Sequence, residues 1–323
     1  MSALRDHSVI GIDIGGTNLR FALVGGDGAI LHQERGKTAS TEGYDAFFSR
    51  VTGGINRLTS MASGIGRQVS AVGIGVPGVI GGDGLVHSSV NLQILDGVNL
   101  REVVTGHCNL PVVVLNDANA FACGEKWFGA GRTCASLLVV TLGTGVGGGL
   151  ILDDRLWTGI DGAAGEFGHL TVEPDGHPCP CGNRGCLEQY ASATAIAAAA
   201  RRALGEWGLD LPSPGGRFTA HGLAEAARHG DRLALGIFAE AGRYLGIAAA
   251  GVANFLNLEA LIIGGGMAES FDLLVPSLRQ EIDGRSFPVN SSRLKVLKGA
   301  LGDDAGILGS AAMALKVVQG ARR

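Results

Sequence analysis

The chain has 323 residues, 46% hydrophobic and 17% charged, which gives enough apolar material for two domain cores and excludes a disordered protein. Its net charge is −4, without a basic run, which argues against nucleic acid or an anionic membrane as a partner. The apolar segments 9–14 and 246–263 are both interrupted by polar or charged residues, unlike a signal peptide or a membrane span. We therefore expect a soluble, cytoplasmic protein.

The first part of the chain alternates apolar runs with short glycine turns. Runs of strand length lie at 8–14, 18–24, 28–35, 69–76 and 110–116. The first three are close together, which predicts an antiparallel meander. Apolar residues at helical spacing predict a helix over 44–61. Asp117 follows the fifth run and is the predicted N-cap of a helix over 118–127.

The same pattern begins again at Ser136. Setting IDIGGTNLRFALV over VTLGTGVGGGLIL, about 128 residues later, aligns a strand, a Gly-rich turn and a second strand. Further strands are predicted at 136–142, 146–152, 259–266 and 294–298, and helices at 232–255, from about 271 and from about 304. This repetition predicts a duplicated α/β fold with a cleft between its halves. We expect the last helix to fold back onto the first domain.

Three familiar nucleotide-binding motifs are present only in part. Two G-x-G-x-x-G matches, at 73–78 and 143–148, lack the following helix that would receive a pyrophosphate, since Pro77 interrupts the first and an apolar run follows the second. Gly36-Lys37-Thr38 resembles the end of a Walker A loop, but Leu31 stands where the first glycine is required. We therefore reject both a dinucleotide-binding fold and a P-loop.

Two turns rich in Gly and Thr, 13–18 and 141–145, are the candidates for phosphate binding. Backbone N–H groups in such turns bind phosphate oxygens, although the same glycines would also serve an ordinary tight hairpin. Asp13 is a carboxylate inside an apolar strand, and hydrated Mg²⁺ is a fitting partner for it. For Asp117, a catalytic role competes with the N-cap role.

The most specific chemical signal is a histidine followed by three cysteines. His169, Cys179, Cys181 and Cys186 have the spacing H-x9-C-x-C-x4-C. One imidazole and three thiolates predict a closed, tetrahedral and structural zinc site. His177 is the rival for the fourth ligand position, and a set of reduced thiols without metal is the alternative to a zinc site.

Together, the segments GIDIGGTN, GVPG, NDAN, TLGTGVGGG, GEFGH and CPCGNRGCLEQYAS resemble the ROK family (repressors, open reading frames, kinases) over nearly the whole chain. The resemblance implies an actin-like, two-domain fold in which ATP and a sugar meet in a cleft. It implies a small N-terminal domain, 1–116 with about 304–323, and a larger domain, 117–303, that carries the zinc loop 169–186.

The resemblance also implies roles for individual residues. Asp117 would be the general base, and His169 would contact both zinc and the sugar. The residues implied for sugar binding are Gly78, Asn91, Asn116, Asp117, Glu166, His169 and Glu188. The residues implied for binding ATP and Mg²⁺ are Asp13, Gly15, Gly16, Thr17, Asn18, Gly143, Thr144, Gly145, Gly265 and Gly266.

The implied activity is ATP-dependent phosphorylation of a hexose at its 6-hydroxyl. The interval between GEFGH and CPCG resembles that of bacterial glucokinases, so glucose is the expected substrate, with N-acetylmannosamine, N-acetylglucosamine and fructose as alternatives and polyphosphate as an alternative donor. Repressors of the family place a helix-turn-helix segment ahead of the kinase-like body, whereas the first strand here begins near Ser8. We therefore expect an enzyme, with an idle sugar sensor as the alternative, and a homodimer.

Overall fold

The computed structural model describes residues 7–206 and 219–320. The strands of the first half are β1 (His7–Ile14), β2 (Asn18–Gly25), β3 (Ile30–Lys37), β4 (Gln68–Val76), β5 (Val79–Ile80), β6 (Val86–Ser88) and β7 (Val112–Asn116). Five of them form the first sheet, in the order β3-β2-β1-β4-β7. β1, β2 and β3 pair antiparallel as the predicted meander, whereas β4 pairs parallel with β1 and β7 parallel with β4. The short strands β5 and β6 form a separate antiparallel pair.

The second sheet repeats this plan with the order β10-β9-β8-β11-β12. Its strands are β8 (Leu137–Leu142), β9 (Val146–Leu152), β10 (Arg155–Trp157), β11 (Ala260–Gly264) and β12 (Lys295–Lys298). Here too, three consecutive strands lie beside two later strands that run parallel to the innermost of the three. The two strand orders confirm the predicted duplication of an α/β fold.

Ten helices connect these strands in the described residues. They are α1 (Tyr44–Gly64), α2 (Leu100–Cys108), α3 (Asp117–Trp127), α4 (Glu188–Ala191), α5 (Ala193–Glu206), α6 (Ala220–Arg228), α7 (Arg232–Leu256), α8 (Phe271–Arg285), α9 (Pro288–Ser291) and α10 (Ala305–Gly320). The sequence patterns do not indicate α2, α4, α5, α6 or α9, nor the short strands β5, β6 and β10. The third strand begins two residues later than predicted, because Asp27 closes a turn by accepting a hydrogen bond from the Ala29 amide at 3.1 Å.

The chain divides into two compact units, Met1–Arg132 with Gly149–Gly165 and Asp303–Arg323, and Thr133–Gly148 with Glu166–Gly302. The domain limits predicted from the sequence stay a prediction. In the first unit, α10 packs directly on β4 and α3. Gly73 of β4 lies against the Ser310 carbonyl, and Gly309 lies against the Ala120 carbonyl, so that a Cβ at either glycine would overlap the neighbouring backbone. The other side of the sheet is covered by α1, whose Phe47 is fully buried.

In the second unit the long helix α7 is the central core helix. It is long and apolar enough to cross a membrane by length and composition. Its Phe238 and Leu245 side chains are nevertheless buried, and its glycines Gly242 and Gly246 lie against the backbone of α8. This packing is that of a helix in a protein core, and α4 and α5, which follow the loop 169–186, also contact α7.

Candidate active site

The turn between β1 and β2 keeps two backbone amides open. The Gly15 amide donates to the Asn18 carbonyl at 2.8 Å and closes the turn. Nothing in the described part of the chain accepts a hydrogen bond from the amides of Gly16 and Thr17, and both residues are exposed. Neighbouring open N–H groups in a tight turn form a concavity that binds anions. The residues predicted to bind ATP therefore have suitable donors at this turn.

Asp13 lies at the start of this turn and has a partner within the protein. It stands opposite Arg20 in the β1–β2 register. Arg20 donates from Nη2 and Nε to Asp13 Oδ2 at 2.6 and 3.1 Å. The two side chains expose only 17% and 18% of their surface, so the charge pair is largely withdrawn from water. From the sequence, only Mg²⁺ was expected as the partner of Asp13. Arg20 could also have been inferred, because residues that pair across a tight β-hairpin place their side chains on the same face of the sheet.

The start of α3 corrects one prediction. Asn116, not Asp117, is the N-cap: its Oδ1 accepts hydrogen bonds from the amides of Ala118 and Asn119 at 2.9 and 3.1 Å. Its Nδ2 donates to the Gly78 carbonyl at 3.0 Å. A carboxylate has no donor for that carbonyl, which is why the amide occupies the cap. Asp117 becomes the first helical residue and is exposed, and its own Oδ1 lies 2.9 Å from the Ala118 amide.

Two further predicted sugar-binding residues of the first unit lie near these groups. Gly78 has a φ of 125°, and a Cβ there would overlap the Ser88 carbonyl, so only glycine fits beside Asn116. Asn91 lies beside the first turn, with its Cβ 3.6 Å from the point where a side chain on Gly16 would begin. The first unit thus places Gly78 with Asn116, and Asn91 with the turn.

The turn between β8 and β9 also keeps two backbone amides open, but its closing hydrogen bond spans two residues instead of three. The Gly143 amide donates to the Gly145 carbonyl at 3.0 Å, and the amides of Thr144 and Gly145 have no acceptor among residues 7–206 and 219–320. The next amide, of Val146, donates to Glu188 Oε2 at 2.9 Å. Sequence analysis assigned Glu188 to the sugar alone, whereas the structure also joins this carboxylate to the second turn.

Gly265 and Gly266 lie next to the second turn. β8 and β11 run parallel, with Gly264 opposite Thr141, so the residues that follow the two strands are neighbours. Gly265 accordingly lies against the backbone of Leu142, the last residue of β8. The second unit thus places the residues predicted for the adenosine beside those predicted for the phosphates.

The predicted metal ligands form one cluster. The ligand atoms of His169, Cys179, Cys181 and Cys186 all lie within 4.8 Å of one another. The Sγ atoms of Cys181 and Cys186 are 3.6 Å apart, and Cys179 Sγ is 3.7 Å from His169 Nδ1. Two thiolates on one tetrahedral zinc, each at about 2.3 Å, would be about 3.8 Å apart. The donor types and their separations therefore fit a zinc ion.

His177 is not part of this cluster. Its ring stacks on Tyr190, with centroids 5.2 Å apart, and its amide donates to the Tyr190 hydroxyl at 2.8 Å. The zinc loop is also contacted by Gln189, whose Nε2 donates to Cys179 Sγ at 3.6 Å. Sequence analysis did not foresee these contacts of Gln189 and Tyr190, since both residues follow the ligands in a segment with no metal-binding pattern.

The two nitrogens of His169 face different groups. Nδ1 faces the thiols, whereas Nε2 is 3.9 Å from Glu166 Oε2. The His169 amide also donates to the Glu166 carbonyl at 3.0 Å, within the short helix Phe167–His169. The structure thus brings Glu166 and His169 together, with one ring nitrogen of His169 toward the thiols and the other toward the carboxylate.

The thiols of the cluster differ in acidity. Burial raises the pKa of Cys186 to about 12, whereas a hydrogen bond from the Asn183 backbone lowers the pKa of the exposed Cys181. A buried thiol ionises readily only beside a compensating positive charge. A divalent cation bound by all four side chains would supply that charge.

Comparison with known proteins connects this geometry to a family. The model of the ROK family matches residues 9–317. The glucokinase of Thermotoga maritima is 38% identical over 311 residues, covering 94% of this chain and 96% of that protein. The xylose repressor of Caldicellulosiruptor bescii is 32% identical over 312 residues, covering 95% of this chain and 78% of that protein.

A solved structure agrees with the sequence relatives. The ROK family glucokinase of Streptomyces griseus, in complex with glucose and AMPPNP, has a TM-score of 0.76 and 33% identity, covering 96% of this chain and 99% of that one. This likeness confirms the predicted two-domain α/β fold. Because the family model spans the chain from β1 to α10, and relatives of more than 30% identity cover nearly all of it, this chain belongs to the ROK family.

Proposed function

We propose that this protein is an ATP-dependent sugar kinase that phosphorylates the 6-hydroxyl of a hexose, with glucose as the preferred substrate. The observation that carries the proposal is Asp117. This carboxylate is exposed at the first turn of α3, one residue after the N-cap Asn116. A carboxylate at such a strand-to-helix junction can serve as a general base.

The comparisons support a kinase over a repressor. The matched glucokinases are 35–38% identical to this chain, whereas the matched xylose repressors are 29–32% identical. The glucokinase from Streptomyces griseus binds glucose and AMPPNP, an ATP analogue. Glucose and ATP are therefore the first substrates to test.

In the proposed reaction, Asp117 accepts the proton of the sugar 6-hydroxyl as its oxygen attacks the γ-phosphorus of ATP. The bond from that phosphorus to the bridging oxygen breaks, which yields the sugar 6-phosphate and ADP. The open amides of the turns at 15–18 and 143–145 would bind phosphate oxygens, and Gly265 with Gly266 would border the adenosine. Phosphoryl transfer depends chiefly on such positioning and charge neutralisation. Mg²⁺ would neutralise phosphate charge, with Asp13 facing its water shell.

Sugar recognition is proposed for the polar residues that the family resemblance implies. Asn91, Asn116, Glu166, His169 and Glu188 would hydrogen-bond the hydroxyls, beside Gly78. A substrate that lacks one hydroxyl would leave its partner unpaired, and this gives selectivity. Zinc held by His169 Nδ1 and the three thiolates would fix the imidazole, whose Nε2 would then face the sugar. Zinc in this arrangement is structural.

The test is ADP release from Mg-ATP with a panel of sugars: glucose, mannose, fructose, N-acetylglucosamine and N-acetylmannosamine. The expected result is the highest kcat/KM for glucose. Turnover of an N-acetylated sugar or of fructose alone would retain the chemistry and change the substrate. Turnover with polyphosphate but not ATP would change the donor.

The second candidate is a catalytically idle sugar sensor, which the xylose repressor relatives favour. Sugar binding without turnover by any donor would support it over the kinase. A homodimeric state and a cytoplasmic location are further predictions from the resemblance, which size-exclusion chromatography with light scattering and cell fractionation would test.

A further inference from the structure

The backbone of the first Gly-rich turn accepts two hydrogen bonds from one threonine. Thr38 follows β3, is fully buried, and donates from both its hydroxyl and its backbone amide. Its hydroxyl donates to the Gly15 carbonyl at 2.6 Å, and its amide donates to the Thr17 carbonyl at 3.0 Å. In the sequence, Thr38 is visible only as part of the incomplete Walker A match, whereas in the structure its buried hydroxyl is bonded to the turn.

The backbone of the second Gly-rich turn accepts two comparable hydrogen bonds from the first two residues of α5. The Ala193 amide donates to the Gly143 carbonyl at 2.8 Å, and the Thr194 hydroxyl donates to the Thr144 carbonyl at 2.9 Å. Ser192 accepts a hydrogen bond from the Ala195 amide at 3.1 Å and so caps this helix. The Thr194 hydroxyl is therefore not needed as a cap and binds the turn instead.

In each turn, then, two carbonyl oxygens accept hydrogen bonds from a threonine hydroxyl and a backbone amide. Two amides of the same turn, those of Gly16 and Thr17 or of Thr144 and Gly145, have no acceptor in the part of the chain that the structure describes. A peptide plane whose carbonyl is fixed on one side presents its N–H on the other. Fixing the Gly15 carbonyl therefore fixes the direction of the Gly16 N–H, and fixing the carbonyls of Gly143 and Thr144 fixes the N–H groups of Thr144 and Gly145.

We propose that Thr38 and Thr194 are positioning residues for phosphate binding: the Thr38 hydroxyl aligns the open N–H of Gly16, and the Thr194 hydroxyl aligns the open N–H of Gly145. This inference rests on the proposed kinase function, which supplies the nucleotide. Neither hydroxyl is proposed to touch the nucleotide. Each acts through the turn, since pre-oriented donors bind phosphate without the cost of ordering the loop.

The test replaces each hydroxyl by a methyl group of similar size. In Thr38→Val and Thr194→Val, we expect the Kd of Mg-ADP, measured by calorimetry, and the KM of ATP to rise about fivefold, as for the loss of one hydrogen bond. The sugar Kd should stay unchanged. Thr38→Ser and Thr194→Ser keep the hydroxyl and should restore nucleotide affinity.

A matched control is Thr52→Val, because the Thr52 hydroxyl also donates to a backbone carbonyl, that of Phe48 at 3.0 Å, but within α1 and away from both turns. It should leave nucleotide affinity unchanged. Thr194 is exposed, so Thr194→Val should fold even if Thr38→Val does not, and the Thr194 pair then decides. Wild-type nucleotide affinity in the Val variants would overturn the positioning role and leave the kinase intact. A wild-type protein that binds no nucleotide would overturn both.

Discussion

At the carboxyl end of β7, two polar side chains follow one another and make different hydrogen bonds. The side-chain amide of Asn116 accepts hydrogen bonds from the first turn of α3 and donates one to the Gly78 carbonyl, so backbone groups fix its orientation. Asp117 stands one residue later and is exposed. A side-chain amide can satisfy donors and acceptors together, which a carboxylate cannot, so the asparagine and not the aspartate occupies the cap.

The first prediction concerns Asp117. Asp117→Asn keeps the shape of the side chain and removes its basicity, so we expect kcat to fall by at least about 100-fold. The sugar Kd, measured by calorimetry, should change little. The control is Asp45→Asn, since Asp45 is also an exposed carboxylate in the first turn of a helix, α1. A kcat near that of the wild type in Asp117→Asn would refute the general-base role.

The second prediction separates stability from binding at Asn116. Asn116→Ala loses an N-cap and the bond to Gly78, so we expect the free energy of unfolding in urea to fall by about 1–2 kcal/mol. The sugar Kd should rise as well, because Gly78 and Asn116 are both assigned to the sugar. Asn99→Ala is the matched control, since Asn99 caps α2 through the Glu102 amide at 3.2 Å. If both variants lose stability and neither loses sugar affinity, Asn116 is structural only.

At the scale of an element, the zinc loop shows what the sequence could reveal. The ligand spacing from Cys179 to Cys186 is local, so a single sequence carries the whole pattern, and the four ligand atoms do meet. The sequence does not show whether His177 is a ligand. In the structure its ring stacks on Tyr190 and lies outside the cluster, and no rule of residue spacing predicts that contact.

The third prediction is that Cys181→Ser lowers bound zinc well below one per chain and lowers the melting temperature. Three ligands hold zinc more weakly than four, and structural zinc contributes directly to folding free energy. The sugar Kd should also rise, since His169 loses its fixed orientation. Metal analysis, thermal melting and calorimetry measure the three effects. In the control, Cys108→Ser, the altered thiol donates to the Val104 carbonyl outside the cluster, and zinc content should be unchanged. A full zinc complement in Cys181→Ser would contradict the four-ligand site.

At the scale of the whole molecule, the repeated strand order explains why so much could be predicted. Each sheet begins with a hairpin whose apolar alternation and glycine turn are visible in the sequence, and the second copy supports the interpretation of the first. Two contacts that sequence patterns do not indicate join segments distant in the chain: Thr38 to Gly15 and Thr194 to Thr144. Such contacts depend on how the chain returns to a turn, which a pattern of residue types does not encode.

The last prediction links sugar binding to the stability of the folded chain. A ligand that binds only the native state stabilises it by RT ln(1 + [L]/Kd), about 2.7 kcal/mol at one hundred times Kd. For a chain of this length we therefore expect glucose at that concentration to raise the melting temperature by roughly 4 °C. Asp117→Asn should keep this shift, because the variant binds sugar without turning it over, whereas Asn116→Ala should need a higher concentration to reach it. The measurement is a thermal melt across glucose and N-acetylmannosamine concentrations, without nucleotide. Equal shifts at equal concentrations of the two sugars would refute a preference for glucose at the level of binding, while loss of the shift in Asp117→Asn would mean that the carboxylate binds the sugar as well as accepting its proton.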